Sequence, residues 1–114
     1  MKKKFEVIFL EDALSCMDSL GEKEREKIIY NIRKAQIIND KNLFKKLDDD
    51  IWEFRTLYSR TYYRLFAFWD KSKNAYVVAT NGIIKKTGKT PKIELKKAKQ
   101  IMNAYMKNKD ENAL

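Results

Sequence analysis

Two arginines stand inside neighbouring apolar segments, where a charged side chain needs a chemical reason. Arg55 lies in IWEFRTLY (51–58) and Arg64 lies in TYYRLFAFW (61–69). Charged groups within a sheet are costly unless they have a partner. If the two arginines share one face, their mutual repulsion requires an anion between them. That anion is either Glu53, in a structural ion pair, or a bound phosphate.

Lys85 and Lys86 begin a loop, residues 85–92, that holds four lysines and no acidic residue. Residues 85–109 hold nine lysines and one acidic residue, so nearly all of the net charge of +9 lies in the last quarter of the chain. Such a region is typical of a surface that binds nucleic acid or an acidic partner, and equally of a solvated helix face. Because this loop leaves its strand at the same edge as the two arginines, the four cations together favour a phosphate site.

The absence of histidine from the sequence excludes histidine-containing triads, Cys-His pairs and histidine zinc sites. The single cysteine, Cys16, allows no internal disulfide, which fits a reducing cytoplasm, and its apolar neighbours predict a packing role. Asp48, Asp49 and Asp50 are consecutive, so their side chains diverge and a polar turn is favoured over a metal site. We therefore expect neither a metal nor a cofactor.

The elements that must position the cations follow from hydrophobic periodicity and turn residues. The pattern predicts the α+β class, in the order β-α-α-β-β-β-α, with the helices on one face of a curved antiparallel sheet. The first two helices form a hairpin, and another helix ends the chain. The predicted segments are a strand at 4–9, helices at 10–20 and 22–39, strands at 51–58, 61–69 and 75–84, and a helix at 91–107.

Alternation along the strands places Glu53 and Arg55 on one face of the first central strand, opposite Trp52. In the next strand, Tyr62 and Arg64 share a face. Proteins often read single-stranded RNA with aromatic rings that stack on its bases. The candidates for stacking are Trp52, Tyr62 and Tyr63, for each of which a core role is favoured.

Three stretches together resemble the RelE/ParE toxin superfamily, and within it the HigB-like, phage-derived branch. They are a tryptophan-glutamate-hydrophobic-arginine strand (52–55), a tyrosine-arginine pair (63–64), and a lysine-lysine-threonine and lysine-threonine-proline loop (85–91) before the last helix. The resemblance covers essentially the whole chain and its order of elements. It implies a single RelE/HigB-like toxin domain over residues 1–114.

The resemblance implies a toxin of a type II toxin–antitoxin module, an endoribonuclease that cuts mRNA on the ribosome without a metal and so inhibits translation in the cytoplasm. The implied partners are a cognate antitoxin of helix-turn-helix type, mRNA and the ribosome, with no membrane. Two other functions stay open: gyrase inhibition by a ParE-like toxin, and non-catalytic nucleic-acid binding. The catalytic candidates are Arg55, Arg64, Lys85 and Lys86, and the RNA-binding candidates are Lys45, Lys46, Lys89, Lys92 and Trp52.

The resemblance leaves the general base open, because RelE itself has a tyrosine near the basic loop and some HigB proteins have a histidine near the C-terminus. This chain has neither. Lys85 and Lys86 are the candidates at the site. Tyr105 is the nearest tyrosine, but its helical spacing with Ile101 and Met102 predicts a core position.

Overall fold

The computed structural model describes residues 2–85 and 89–112, and this part of the chain forms three helices and five strands. The predicted α+β class is confirmed. The order contains one strand more than predicted, because a short strand forms in the connection at 39–50. The elements are β1 (Glu6–Phe9), α1 (Glu11–Asp18), α2 (Glu22–Ile37), β2 (Phe44–Lys46), β3 (Trp52–Tyr58), β4 (Thr61–Asp70), β5 (Tyr76–Lys85) and α3 (Lys92–Asn112).

The five strands form one mixed sheet in the order β1-β5-β4-β3-β2. Strands β3 to β5 form the predicted antiparallel meander, and the additional strand β2 pairs with β3, also antiparallel. The prediction of a wholly antiparallel sheet is wrong at β1, which pairs with β5 in parallel, from Glu6 opposite Tyr76 to Phe9 opposite Ala79. A parallel pair needs a long connection, and the two helices and the meander between β1 and β5 provide it.

Helices cover both faces of the sheet, so the prediction of helices on one face is wrong. One core joins α1 and α2 to Leu65, Ala67 and Val77, and a second core joins α3 to Phe66 and Phe68. Every residue of β4 from Arg64 to Phe68 is buried. A strand that is apolar on both faces must be buried on both. Helices α1 and α2 bury one face of β4, and α3 buries the other.

A two-residue turn fixes the register of β3 and β4. Ser59 and Arg60 have φ angles of 50° and 62°, the left-handed conformation that matches the twist of a tight hairpin. The strands therefore pair from Tyr58 opposite Thr61, and the same register places Arg55 directly opposite Arg64. The two arginines therefore share one face, which is the arrangement considered from the sequence.

A β-bulge in β5 determines which face Lys85 occupies. Ala79 pairs with Ala67 while Asn81 pairs with Phe66, so that Thr80 is an extra residue opposite β4. An extra residue reverses the alternation of side chains beyond it. Without this bulge, Lys85 would share the face of Ala79, under the first two helices.

The helices largely follow their predicted stripes. Helical spacing in the sequence predicts a buried stripe of Ile28, Ile32 and Ala35 on α2 and a buried Leu14 on α1. The three residues of α2 are buried, whereas Leu14 is 48% exposed and lies outside the core. Among the described residues, none of the three helices is both long enough and apolar enough to cross a membrane.

Candidate functional site

Three of the predicted catalytic cations share one face of the sheet, the face that α3 covers further along. Arg55 pairs with Arg64 across β3 and β4, and Lys85 pairs with Tyr62 on the neighbouring row. Tyr62 and Arg64 are two residues apart on β4, so their side chains point to the same face. Because Lys85 is opposite Tyr62, it lies on that face beside the arginines. Lys86, the fourth predicted catalytic residue, lies outside the described residues.

Glu53 is the anion that the paired arginines require. Its carboxylate is 1% exposed, and its Oε1 accepts a hydrogen bond of 2.9 Å from the Nη1 of Arg64. The Nε of Arg55 lies 3.6 Å from Oε2 of the same carboxylate. A buried charge is tolerated when it is paired and hydrogen-bonded. The structural ion pair considered from the sequence is therefore present.

Thr90 connects the end of the lysine-rich loop to this pair. Its hydroxyl oxygen accepts a hydrogen bond of 2.9 Å from the Nη1 of Arg64 and donates to Oε1 of Glu53 at 3.3 Å. Thr90 stands two residues before α3 begins. Together, Glu53, Arg55, Arg64 and Thr90 form what we call the Glu53 cluster, which anchors the chain where the loop meets α3.

The two arginines of the Glu53 cluster differ in their access to solvent. Arg64 is 4% exposed, so its guanidinium belongs to the interior. The side chain of Arg55 is 30% exposed and makes the longer contact with Glu53. One carboxylate thus faces two arginines, and Lys85 adds a third positive charge on the same face. The arrangement suits an anion that approaches Arg55 and Lys85 from solvent.

The remaining predicted RNA-binding residues are divided between the two faces. Lys45 pairs with Glu53, so it shares the face of the Glu53 cluster, and Lys46 pairs with Trp52 on the opposite face. Trp52 stacks on Phe44 with the ring centroids 4.8 Å apart and packs against the core under α2. Lys89 and Lys92 are exposed, one in the loop and one at the first residue of α3.

A second polar cluster lies on the same face near the other end of α3. The carboxylate of Asp70 is 1% exposed and accepts hydrogen bonds from the Tyr105 hydroxyl, at 2.7 Å, and from the Lys109 ammonium. Ser72 donates to it through its hydroxyl at 2.6 Å. We call these four residues the Asp70 cluster. Tyr105 also packs edge-on against Phe68, which agrees with its predicted core position.

The ionisation of the Asp70 cluster is strongly shifted. Burial alone would raise the pKa of Asp70, but the hydrogen bonds from Lys109, Ser72 and Tyr105 outweigh it and hold that pKa well below its ordinary value. Burial, with the hydrogen bond to Asp70, raises the pKa of Tyr105 to about 12. A hydroxyl held so firmly in its protonated form is poorly suited to act as a general base.

Two other residues that the sequence singled out have structural surroundings. Asp48 accepts hydrogen bonds from the backbone N–H groups of Asp50 and Ile51 and pairs with Lys99 at 2.7 Å, which makes it a turn residue. Within residues 2–85 and 89–112, no group of three or more His, Cys, Asp or Glu side chains is placed to hold a metal. Burial raises the pKa of the half-buried Cys16 thiol.

Sequence reasoning treated Glu53 only as the structural alternative and missed the part played by Thr90. Glu53 had a visible signal, because it shares a face with Arg55 two residues away. For Thr90, the only sequence signal was its place in the lysine-threonine-proline loop. Its contacts with Glu53 and Arg64 span 37 and 26 residues of sequence, respectively, and no local pattern predicts them.

The fold and site define a small α+β protein with a cationic face at the end of a mixed sheet. Residues 15–103 match the model of the family described as phage derived protein Gp49-like (DUF891). The match covers most of the chain and includes every residue of the Glu53 cluster, so the chain belongs to the Gp49-like family, a phage-derived, RelE/toxin-like family. A comparison with curated proteins finds no match.

Proposed function

We propose that this protein is the toxin of a type II toxin–antitoxin module, of the HigB-like kind, and that it cuts mRNA on the ribosome. The observation that carries the proposal is the surplus of cations on one face. Arg55, Arg64 and Lys85 share that face, and Glu53 is the carboxylate that contacts the two arginines. Membership of a toxin-like family supports the same proposal.

The proposed reaction is attack of an RNA 2′-oxygen on its own phosphate. The P–O5′ bond breaks, leaving a 2′,3′-cyclic phosphate on one product and a 5′-hydroxyl on the other. Arg55 and Lys85 stabilise the charge that develops on the phosphate oxygens, for which a fixed donor contributes a factor of roughly 100 to 1,000 in rate. Lys86 accepts the 2′-hydroxyl proton, the departing 5′-oxygen takes a proton from solvent, and the hydrogen-bonded Arg64 keeps the site in its productive geometry.

An antitoxin completes the proposed module, since a cell that makes this toxin needs a protein to inhibit it. We propose a helix-turn-helix antitoxin whose acidic groups meet the basic face or whose bulk keeps the toxin from the ribosome. Co-expression of the neighbouring genes tests this. Growth should recover with the antitoxin gene, and continued arrest with every neighbouring gene would contradict it.

The test of activity combines induced expression with mapping of transcript ends. We expect new 5′-hydroxyl ends inside coding regions in cells that express the native protein. The Lys85→Ala variant should yield few such ends, whereas Lys34→Ala, which removes an exposed lysine from α2, should match the native protein.

A supercoiling assay with purified gyrase distinguishes the remaining functions. Gyrase inhibition with intact transcripts would replace the proposal by a ParE-like activity. Oligonucleotide binding with intact transcripts and active gyrase would leave a non-catalytic binding protein.

A further inference from the structure

A small cavity lies beside the exposed arginine of the Glu53 cluster. Its volume is about 250 Å³, below the roughly 300 Å³ at which sites for drug-sized ligands begin. A cavity of this size suits one planar ring system. Its lining comes from three residues of β3, three of β4 and the connection before β2: Arg55, Thr56, Leu57, Tyr62, Tyr63, Arg64 and Asn42.

The register of β3 and β4 gives the cavity four corners on one face. Arg55 is opposite Arg64, and Leu57 is opposite Tyr62, so these side chains form two adjacent cross-strand pairs. The residues between them point to the other face, where the Thr56 hydroxyl accepts a hydrogen bond of 3.1 Å from Asn31 of α2. The backbone of that middle pair therefore forms the floor.

The corners combine two chemistries. One pair is cationic, and the other is apolar and partly open to solvent, since Leu57 is 56% exposed. The Arg64 guanidinium lies over the Tyr62 ring, 5.5 Å from its centroid, which holds the ring beside the cations. A fitting ligand has a flat apolar body joined to an anion. A nucleotide within a nucleic-acid strand has this composition.

We propose that this cavity binds one base of a single-stranded RNA, stacked on Tyr62 and bordered by Leu57, while Arg55 and Lys85 contact the adjoining phosphate. The choice of RNA rests on the proposed function. Of the three candidates for stacking, this assigns the role to Tyr62 and not to Trp52, because Trp52 faces away from the cations and its ring stacks on Phe44. Tyr62 acts as a substrate-positioning residue.

Binding and cleavage are measured separately to test the proposal. The probe is a short single-stranded RNA with 2′-O-methyl riboses, which lacks the attacking hydroxyl. A matched probe lacks the base at one position at a time. Tyr62→Ala should weaken binding of the complete probe about 5- to 150-fold, the range for loss of one stacked base. The probe without the relevant base should bind the native protein and Tyr62→Ala with similar affinity.

Three further variants separate stacking from other effects. Tyr62→Phe keeps the ring and should bind like the native protein. Leu57→Ala alters an exposed side chain and should weaken binding without lowering the melting temperature. Tyr30→Ala removes a ring that is 59% exposed on α2 and should change nothing.

Salt dependence separates base contacts from phosphate contacts. The loss in Tyr62→Ala should be the same factor at every salt concentration, because stacking releases no counterions. Arg55→Ala should instead reduce the slope of log affinity against log salt by about 0.7.

The outcomes distinguish the inference from the function on which it rests. Native RNA affinity in folded Tyr62→Ala and Leu57→Ala would overturn the base-binding role, even if the protein cuts mRNA. Equal losses in Tyr62→Phe and Tyr62→Ala would also overturn it, because the contact would then be the hydroxyl. Base-dependent binding through Tyr62 without any cleavage would uphold the inference and contradict the enzymatic proposal.

Discussion

The Glu53 cluster and the Asp70 cluster are built from the same groups on the same face of the sheet. Each has a carboxylate that is 1% exposed, a basic side chain and a hydroxyl, and each fixes a different end of α3. They differ in charge balance. Asp70 is paired with one lysine, whereas Glu53 is paired with two arginines.

This difference separates a structural contact from a candidate binding site. In the Asp70 cluster, the charges cancel and every group is satisfied by another, so nothing calls for a ligand. The Glu53 cluster keeps a net positive charge, and its surplus is on Arg55, whose side chain is 30% exposed. A surplus that reaches solvent attracts an anion, and Lys85 on the same face strengthens that attraction.

Of the substitutions that test the difference between the two clusters, removal of Arg64 should have the largest effect on stability. The Arg64→Ala variant leaves Glu53 buried without its closest partner, and we expect the free energy of unfolding to fall by about 3–5 kcal/mol. Replacing both residues, as Glu53→Leu with Arg64→Met, should recover most of that loss, because a well-packed apolar pair can replace a buried ion pair.

Denaturant unfolding of the two Arg64 variants and the native protein measures these changes. A loss below about 1 kcal/mol in Arg64→Ala would match the contribution of an exposed ion pair and would contradict an interior role for Arg64. The double variant also tests activity, because it is expected to fold without the arginine.

The Asp70→Asn variant should have the next largest effect. It replaces a charged acceptor in four hydrogen bonds, and a loss of about 1.5–3 kcal/mol is expected. Because folding lowers the pKa of Asp70, its stabilisation is present above about pH 4 and is lost as the pH falls further. Unfolding measured against pH should therefore show a shallower acid loss in Asp70→Asn than in the native protein.

Asp49→Asn is the matched control for that experiment, because Asp49 is exposed. It should leave both the stability and its acid dependence as they are in the native protein. An acid profile of Asp70→Asn that coincides with the native one would show that the Asp70 cluster does not hold α3 in this way.

Tyr105→Phe should have the smallest effect, about 0.5–1.5 kcal/mol for one hydrogen bond. Folding raises the pKa of Tyr105 to about 12 from an ordinary value of 10.0. Its stabilisation is therefore complete below pH 10 and is lost as the pH rises towards 12. The phenylalanine variant should lack this alkaline loss, whereas Tyr30→Phe should retain it. Identical alkaline profiles for Tyr105→Phe and the native protein would contradict the contact with Asp70.

Local patterns were sufficient to predict the parts of the site that lie close together in the sequence. The stripe of α2, the meander and the pairing of Arg55 with Arg64 follow from periodicity and one short turn. Glu53 belonged to the same pattern, although charge alone left both Glu53 and a bound phosphate as candidates for the anion between the arginines.

Features that depend on distant contacts could not be predicted in this way. The bulge at Thr80 puts Lys85 on the same face as the arginines. The residues around Thr80 have the pattern of a regular strand, so the bulge could not be predicted from them. The parallel pairing of β1 and the cover on both faces depend on how the whole chain packs. Leu14 is a further example, because its helical spacing predicts a buried position but the side chain is exposed.

The central claim is that Arg55, which carries the surplus charge of the Glu53 cluster, acts on an RNA phosphate. The rate at which purified Arg55→Ala cuts ribosome-bound mRNA, measured beside its melting temperature, tests it most directly. Arg33→Ala, which removes an exposed arginine from α2, is the control. We predict that Arg55→Ala keeps the native melting temperature and cuts roughly 100 to 1,000 times more slowly, while Arg33→Ala cuts normally. A folded Arg55→Ala protein that cuts at the native rate would contradict the claim.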